Sequence, residues 1–210
     1  MTVFPGQSRL RLVLATANPD KAAELRQIVA EVAGDRIELL DRPDGVPEVE
    51  ETGETLEENA RLKARALAEA TGLAALADDT GLEVDALGGR PGVFSSRFAG
   101  ESATYEDNVA MLLSELEGAG AGVEASRGAR FRTVAVALFP DGRELVAVGI
   151  VEGRISPEPR GEGGFGYDPV FLPDGGEGRS FAQMSPAEKH ALSHRGRAVR
   201  GLAKELISSS

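Results

Sequence analysis

The sequence predicts an α/β fold built on a mixed β-sheet, and two observations carry that reading. Apolar runs of strand length alternate with segments of helical periodicity. One pair of apolar runs meets at Pro140-Asp141-Gly142 as a hairpin, which adds antiparallel pairing to an interleaved chain. No internal repeat is visible. The 210 residues are 41% hydrophobic and 27% charged, which excludes intrinsic disorder and low complexity. A chain of this length hides about 70% of its surface on folding, so a real core is expected. One domain over 1–210, or two tightly joined lobes, is the expectation.

Residues 10–15 read as a short buried strand. A helix follows at once, with Asn18 as N-cap, Pro19 at the first position and Ala22, Leu25, Ile28, Val29 and Val32 at helical spacing up to Gly34. Ile37 to Leu40 reads as a second strand, and 41–54 as an acidic loop punctuated by Pro and Gly. Thr55 and Glu58 form a capping box for a helix that ends at Gly72. Leu73 to Ala77 reads as a small strand with Asp78 and Asp79 at its carboxyl end, and Leu82, Val84 and Ala86 as a further strand. Thr104 and Asp107 cap a helix with Val109, Leu112, Leu113 and Leu116 inside. Residues 117–128 read as a mobile loop. The hairpin strands, 130–139 and 144–151, are apolar at nearly every position, so both faces of each are expected to be covered. After a glycine-rich stretch, 161–168, comes a short strand at 169–172. Ser185, Pro186 and Glu188 start a last helical region, which either runs on to the C-terminus or restarts at Ser193.

Composition narrows the function. There is no cysteine, so disulfides, thiolate metal sites and cysteine nucleophiles are excluded, in keeping with a reducing, cytoplasmic setting. With 23 Lys+Arg against 34 Asp+Glu, the net charge of -11 repels a long polyanion and argues against a nucleic-acid binder, but leaves room for a small phosphate ligand. No apolar run reaches the ~18 residues of a membrane helix, and no signal-peptide pattern opens the chain.

Four segments carry candidate chemistry. In Thr16-Ala17-Asn18-Pro19-Asp20-Lys21 a strand turns into a helix, so free N–H groups, the helix dipole and Lys21 would make a phosphate seat; the alternative is a capped helix with a solvated lysine. Asp78 and Asp79 face opposite ways on a strand. With Glu48, Glu50 and Glu51 they could serve Mg²⁺, which takes one or two carboxylates plus substrate phosphates; a simple turn is the alternative. Gly161 to Asp168 matches G-x-G-x-x-G literally, but Pro157, Pro159 and Pro169 forbid the helix a dinucleotide site requires. What remains is either a glycine-flanked Phe165 free to stack on a planar ligand or a turn whose Phe and Tyr pack in the core. Lys189, His194, Arg195 and Arg197 gather as a basic group or a solvated helix face. His190 and His194 are four apart, yet no third histidine exists to make a zinc site.

Together these segments resemble the inosine triphosphate pyrophosphatases, the family acting on non-canonical purine nucleoside triphosphates. The matching pieces are Thr16-x-Asn18-x-x-Lys21 with Glu24; Glu51-Thr52-Gly53 with Glu58-Asn59-Ala60 and Lys63-Ala64; Ala77 to Leu82 through Asp85 to Gly89 and Pro91-Gly92-Val93; Gly163 to Pro169; and Glu188-Lys189 with Ser193 to Gly196. They keep their order from residue 12 to about 203. The resemblance implies a two-lobed α/β fold with a long central sheet, a substrate cleft between the lobes, a homodimer, and hydrolysis of ITP, dITP and XTP to the monophosphate and pyrophosphate. It implies that Thr16, Asn18, Lys21 and Lys63 hold the triphosphate, and that Glu50 and Asp79 hold Mg²⁺, with Asp79 also the base for the attacking water. Phe165 would stack on the base, and Asp168, Lys189, His194 and Arg195 would line its edge. Thr80, Gly166 and Tyr167 complete the implied substrate contacts. Thr80 stands where serine is commoner, Gln183-Met184 replaces Glu-Leu, and His190 sits at a frequent Asn.

Overall fold

The computed structural model describes residues 9–121 and 126–209. Its elements are β1 (Leu10–Leu14), α1 (Pro19–Ala33), β2 (Ile37–Leu40), α2 (Leu56–Thr71), β3 (Ala74–Val84), β4 (Pro91–Gly92), α3 (Tyr105–Gly118), β5 (Gly128–Leu138), β6 (Glu144–Ile155), β7 (Phe171–Pro173), α4 (Pro186–Leu192) and α5 (His194–Ser208). A seven-stranded sheet runs β2-β1-β3-β5-β6-β7, with β4 attached to β3. β1 is parallel to β2 and β3, and every other pairing is antiparallel, so the mixed sheet is as predicted. Among the described residues no helix is long and apolar enough to cross a membrane.

Side-chain alternation along the strands sorts the core. Leu12, Leu14, Ala74, Leu76, Ala135 and Ala137 face α1 and α5. Val13, Ala15, Ala75, Ala77, Val134 and Val136 face α2 on the opposite side. The far ends of β3, β5 and β6 pack Leu82, Val84, Phe131 and Val151 against α3, Phe171 and Phe181.

Three expectations are corrected and one open alternative is decided. The acids do not end a small strand: β3 continues for 11 residues to Val84 because β5 pairs it throughout, and Ala86 falls in a following 3₁₀ turn. The final helical region is two helices, since Ser193 accepts a hydrogen bond from the Gly196 amide as the N-cap of α5, which also takes His190 and His194 off a common helix. The loop expected over 117–128 is partly ordered structure: α3 reaches Gly118, and buried Arg127 donates to the carbonyls of Ala121 and Ser156, while 122–125 lie outside the described residues. Full coverage of the hairpin holds for Thr133–Ala137 of β5 but not for β6, where Val148 is 45% exposed. β7 pairs only with Gly153–Ile155, which leaves most of β6 as an edge.

Candidate active site

β1 pairs with β3 only as far as Leu76, and the Ala15 amide closes that ladder on the Leu76 carbonyl. Beyond it β3 keeps its partner β5 but has an open flank, and that is where Asp78 and Asp79 stand. The ends of parallel strands are a general location for ligand sites. Strand alternation sends Asp78 toward α1 and α5, 3.1 Å from Arg195 Nε and 3.9 Å from Lys21 Nζ. It sends Asp79 toward α2, where Lys63 Nζ donates to Oδ1 at 2.7 Å.

Thr16, Ala17, Asn18, Lys21, Lys63, Asp79 and Thr80 line one cavity with Arg42, Glu48 and Glu51. The phosphate seat differs from the expectation in one respect. Asn18 Oδ1 accepts from the amides of Asp20 and Lys21, the Ala22 amide bonds the Asn18 carbonyl, and Pro19 has no N–H. The first helical turn therefore has no donor to spare, and Asn18 acts as a cap. The amides of Thr16 and Ala17, just before the helix, make no hydrogen bond among the described residues and remain for a ligand. Burial lowers the pKa of Lys21, with Asp78 opposing and Lys63 and Arg195 adding repulsion. Burial also disfavours the charge on Lys63, but Asp79 and Glu51 outweigh it and its pKa is raised. Asp79 is pushed above the usual carboxylate range, chiefly by burial, despite the two lysines. Its Oδ2 makes no hydrogen bond.

The carboxylates of the acidic loop are placed differently from one another. Glu50 is exposed and outside the cavity lining, whereas Glu51 points in, 3.0 Å from Lys63 Nζ and 3.4 Å from Arg97 Nη1. Backbone geometry decides this: the Gly53 amide is held by Asn59 Oδ1 at 2.8 Å, and a Cβ on Gly53 would lie 2.7 Å from that same oxygen.

A second pocket adjoins the first through Asn18, Lys21, Thr80 and Ser96, and it gathers Phe165, Gly166, Tyr167, Asp168, Lys189, His194 and Arg195. The two readings of the glycine-rich segment divide between its aromatics. Tyr167 packs in the core with its hydroxyl donating to the Ser95 carbonyl, and burial raises its pKa. Phe165 stays half-buried at the pocket, with Lys189 Nζ 4.6 Å and the Arg195 guanidinium carbon 5.5 Å from its ring centre. Gly164, at φ +72°, makes the turn possible, since a Cβ there would sit 2.1 Å from Asp168 Oδ2, the atom that accepts from the Phe165 amide.

The basic group divides: Lys189, His194 and Arg195 are buried at the pocket, whereas Arg197 is exposed outside it and donates to the Ile150 carbonyl. Lys189 donates to Glu24 and Asp168 at 2.7 Å, and Arg195 donates to Glu24, Asp78 and Thr80, all largely buried. Three of the five guanidinium N–H donors of Arg195 are thus engaged and two remain. Burial opposes the charge on Glu24, but Arg195 and Lys189 prevail and its pKa is lowered; Asp78 is lowered in the same way by Lys21 and Arg195 against its burial. Asp168 is raised, chiefly by burial. His194 stacks on Phe131 at 4.4 Å, and burial lowers its pKa so far that it is neutral, with Nδ1 unpartnered. Gly149 lets α5 start this close to the sheet, because a Cβ there would meet the His194 carbonyl oxygen at 2.0 Å.

Sequence reasoning missed the central role of Glu24, which holds both Lys189 and Arg195. The signal was its place three residues after Lys21, on the face that carries Leu25 and Ile28 inward. It also missed Tyr105, whose hydroxyl accepts from Asn18 Nδ2 at 3.1 Å and whose ring lies 6.0 Å from that of Phe165. Nothing local in the sequence distinguishes Tyr105 from any first-turn residue.

The model of the Ham1 family matches residues 12–205. A dITP/XTP pyrophosphatase of Streptomyces avermitilis is 49% identical over 194 residues, covering 91% of this chain and 94% of that protein. One from Chlorobaculum tepidum is 47% identical, covering 96% and 95%. Among solved structures, a HAM1 protein from Coxiella burnetii superposes with a TM-score of 0.84 at 41% identity, covering 95% of this chain and 99% of that one. The nucleoside-triphosphatase, or dITP/XTP pyrophosphatase, of Mycobacterium abscessus superposes at 0.71 with 41% identity, covering 94% and 100%.

Proposed function

The chain belongs to the Ham1 family, and from that premise we propose that it hydrolyses dITP, XTP and ITP to the nucleoside monophosphate and pyrophosphate. The carrying observation is the junction of two unlike pockets through Asn18, Lys21 and Thr80. One holds lysines and an activated carboxylate, and the other an aromatic ring over a cationic wall. A triphosphate and a purine need those two environments at one nucleotide's separation.

Attack by water forms a bond to the α-phosphorus and breaks the bridge to the pyrophosphate, while the water proton passes to Asp79. A carboxylate with a raised pKa is the better base. Lys21 and Lys63, with the amides of Thr16 and Ala17, hold the phosphates. The residues fit a hard divalent ion: Asp79 keeps one oxygen without a hydrogen bond, and the neighbouring loop supplies further carboxylates. The family resemblance assigns Glu50 with Asp79 to Mg²⁺; Glu50 is exposed and would have to turn toward the cavity to join Asp79, while Glu51 inside it is engaged by Lys63 and Arg97. A bound Mg²⁺ supplies charge neutralisation at the phosphate oxygens.

On the base side, the spare donors of Arg195 and Lys189 suit the 6-keto oxygen of hypoxanthine and xanthine. Adenine would set its amino donor against buried donors, at roughly 1–3 kcal/mol for the mismatch. Phe165→Ala is expected to raise KM for ITP about tenfold or more, with kcat changing less, as loss of one stacking partner costs about 1–3 kcal/mol; steady-state kinetics checks it. The reading extends to a cytoplasmic homodimer, supported by the family resemblance, and sedimentation of the purified chain tests the assembly. The decisive assay follows both phosphorus products from dITP, XTP, ITP, GTP and ATP with and without Mg²⁺. Equimolar pyrophosphate and monophosphate are expected from the first three. Release of orthophosphate, or parity between ITP and ATP, would overturn the assignment.

A further inference from the structure

We propose that Arg42 binds the terminal, pyrophosphate half of the nucleoside triphosphate, a proposal that rests on the pyrophosphatase reading above. Arg42 follows β2 by two residues, so it emerges at the carboxyl end of the parallel β2-β1-β3 set, the end that also carries Thr16 and Asp79. Its Nη2 donates to the carbonyls of Val46 at 2.9 Å and Pro47 at 2.6 Å, which fixes the half-buried guanidinium against the acidic loop. The side chain lines the same cavity as Lys21 and Lys63.

Arg42 differs from both lysines in its counter-charge. Lys63 is held by Asp79 and Glu51, and Lys21 faces Asp78. Among the described residues Arg42 forms no ion pair. A guanidinium held in place by carbonyls, with its charge unpaired and facing a cavity, can offer that charge to an anionic ligand. The two carbonyls use both hydrogens of Nη2, so three N–H donors remain, in a planar fork that matches phosphate oxygens. Position selects which phosphates. The α-phosphorus must lie by Asp79 on β3, and β2 is two strand spacings away, roughly 10 Å. Arg42 therefore reaches the phosphates beyond the scissile bond, the pair that leaves together as pyrophosphate.

Calorimetric titration of wild type and Arg42→Ala with inorganic pyrophosphate, and separately with inosine monophosphate, both with Mg²⁺, tests the assignment alongside steady-state turnover of dITP. The expected result is an affinity for pyrophosphate about tenfold or more weaker in the variant, the cost of a charge-assisted hydrogen bond, with a parallel rise in KM for dITP. Monophosphate affinity should stay within about twofold. Unchanged pyrophosphate affinity overturns the proposal. So does an equal loss for both ligands, because that marks a slackened Val46–Pro47 loop and not a lost phosphate contact. Should Arg42→Ala fold poorly, Arg42→Gln keeps a donor for the two carbonyls, drops the charge, and gives the same readout. Wild type that binds pyrophosphate yet releases none from dITP would instead defeat the pyrophosphatase reading, and the binding comparison would still report on Arg42.

Discussion

Asp79→Asn is expected to lower kcat by about 10³-fold or more while nucleotide binding survives. A positioned general base contributes about 10²–10⁴, and this carboxylate also stands where a divalent ion would be held. The substitution keeps size and hydrogen-bonding capacity, so Lys63 and the β3 ladder stay in place. The reaction needs Asp79 ionised, and burial raises its pKa above the ordinary aspartate value. Without a divalent ion Asp79 should therefore titrate above the ordinary aspartate value, and a bound ion would lower it, so the acid limb of kcat/KM should move to lower pH as Mg²⁺ is raised, with activity rising as pH increases through the limb. Glu51 adds like charge that pushes Asp79 further up, so Glu51→Gln should move that limb to lower pH. Single-turnover kinetics across pH with radiolabelled ITP measures both effects. Normal turnover by Asp79→Asn would remove it from the chemistry.

Glu24→Gln should cost about 3–5 kcal/mol of folding stability, far more than loss of an exposed pair such as Arg26 with Asp41, which is worth about 0–1. Glu24 faces two buried cations. Neutralising it leaves Lys189 with Asp168 and Arg195 with Asp78, but Asp78 also faces Lys21, so three cations then share two carboxylates in a largely buried cluster. Chemical denaturation gives the number, and a midpoint indistinguishable from wild type would refute the central role of Glu24. The pH dependence has a definite sign. Glu24 and Asp78 both have depressed pKa values in the folded state, so their contribution is complete above the ordinary carboxylate range. It is lost as pH falls from that range through the depressed folded values. Wild type should lose stability over that acid window, and Glu24→Gln should show a shallower loss because one of the two groups no longer titrates.

Most of the scaffold was written locally. Asn18-Pro19, the Thr55/Glu58 and Thr104/Asp107 boxes and the glycines after α1 and α2 fix helix ends through short-range hydrogen bonds, which is why those boundaries agree with the structure. The errors fall where a partner distant in sequence decides. β3 runs straight through Asp78 and Asp79 because β5, more than 50 residues later, pairs with them, and most of β6 is an edge because β7 pairs only with Gly153–Ile155. The order of the motifs likewise placed the residues of the site in one family pattern. What the sequence by itself determined about this protein is its α/β class, its helix caps and the set of side chains brought to the site. Only the tertiary structure decided their states: that Lys21, Lys63, Thr16 and Ala17 share one cavity, that Glu51 and not Glu50 lines it, and that Glu24 anchors the basic wall. The reason is physical. Caps and periodicity act over a few residues, whereas burial and charge pairing depend on which distant side chains share a space from which water is excluded.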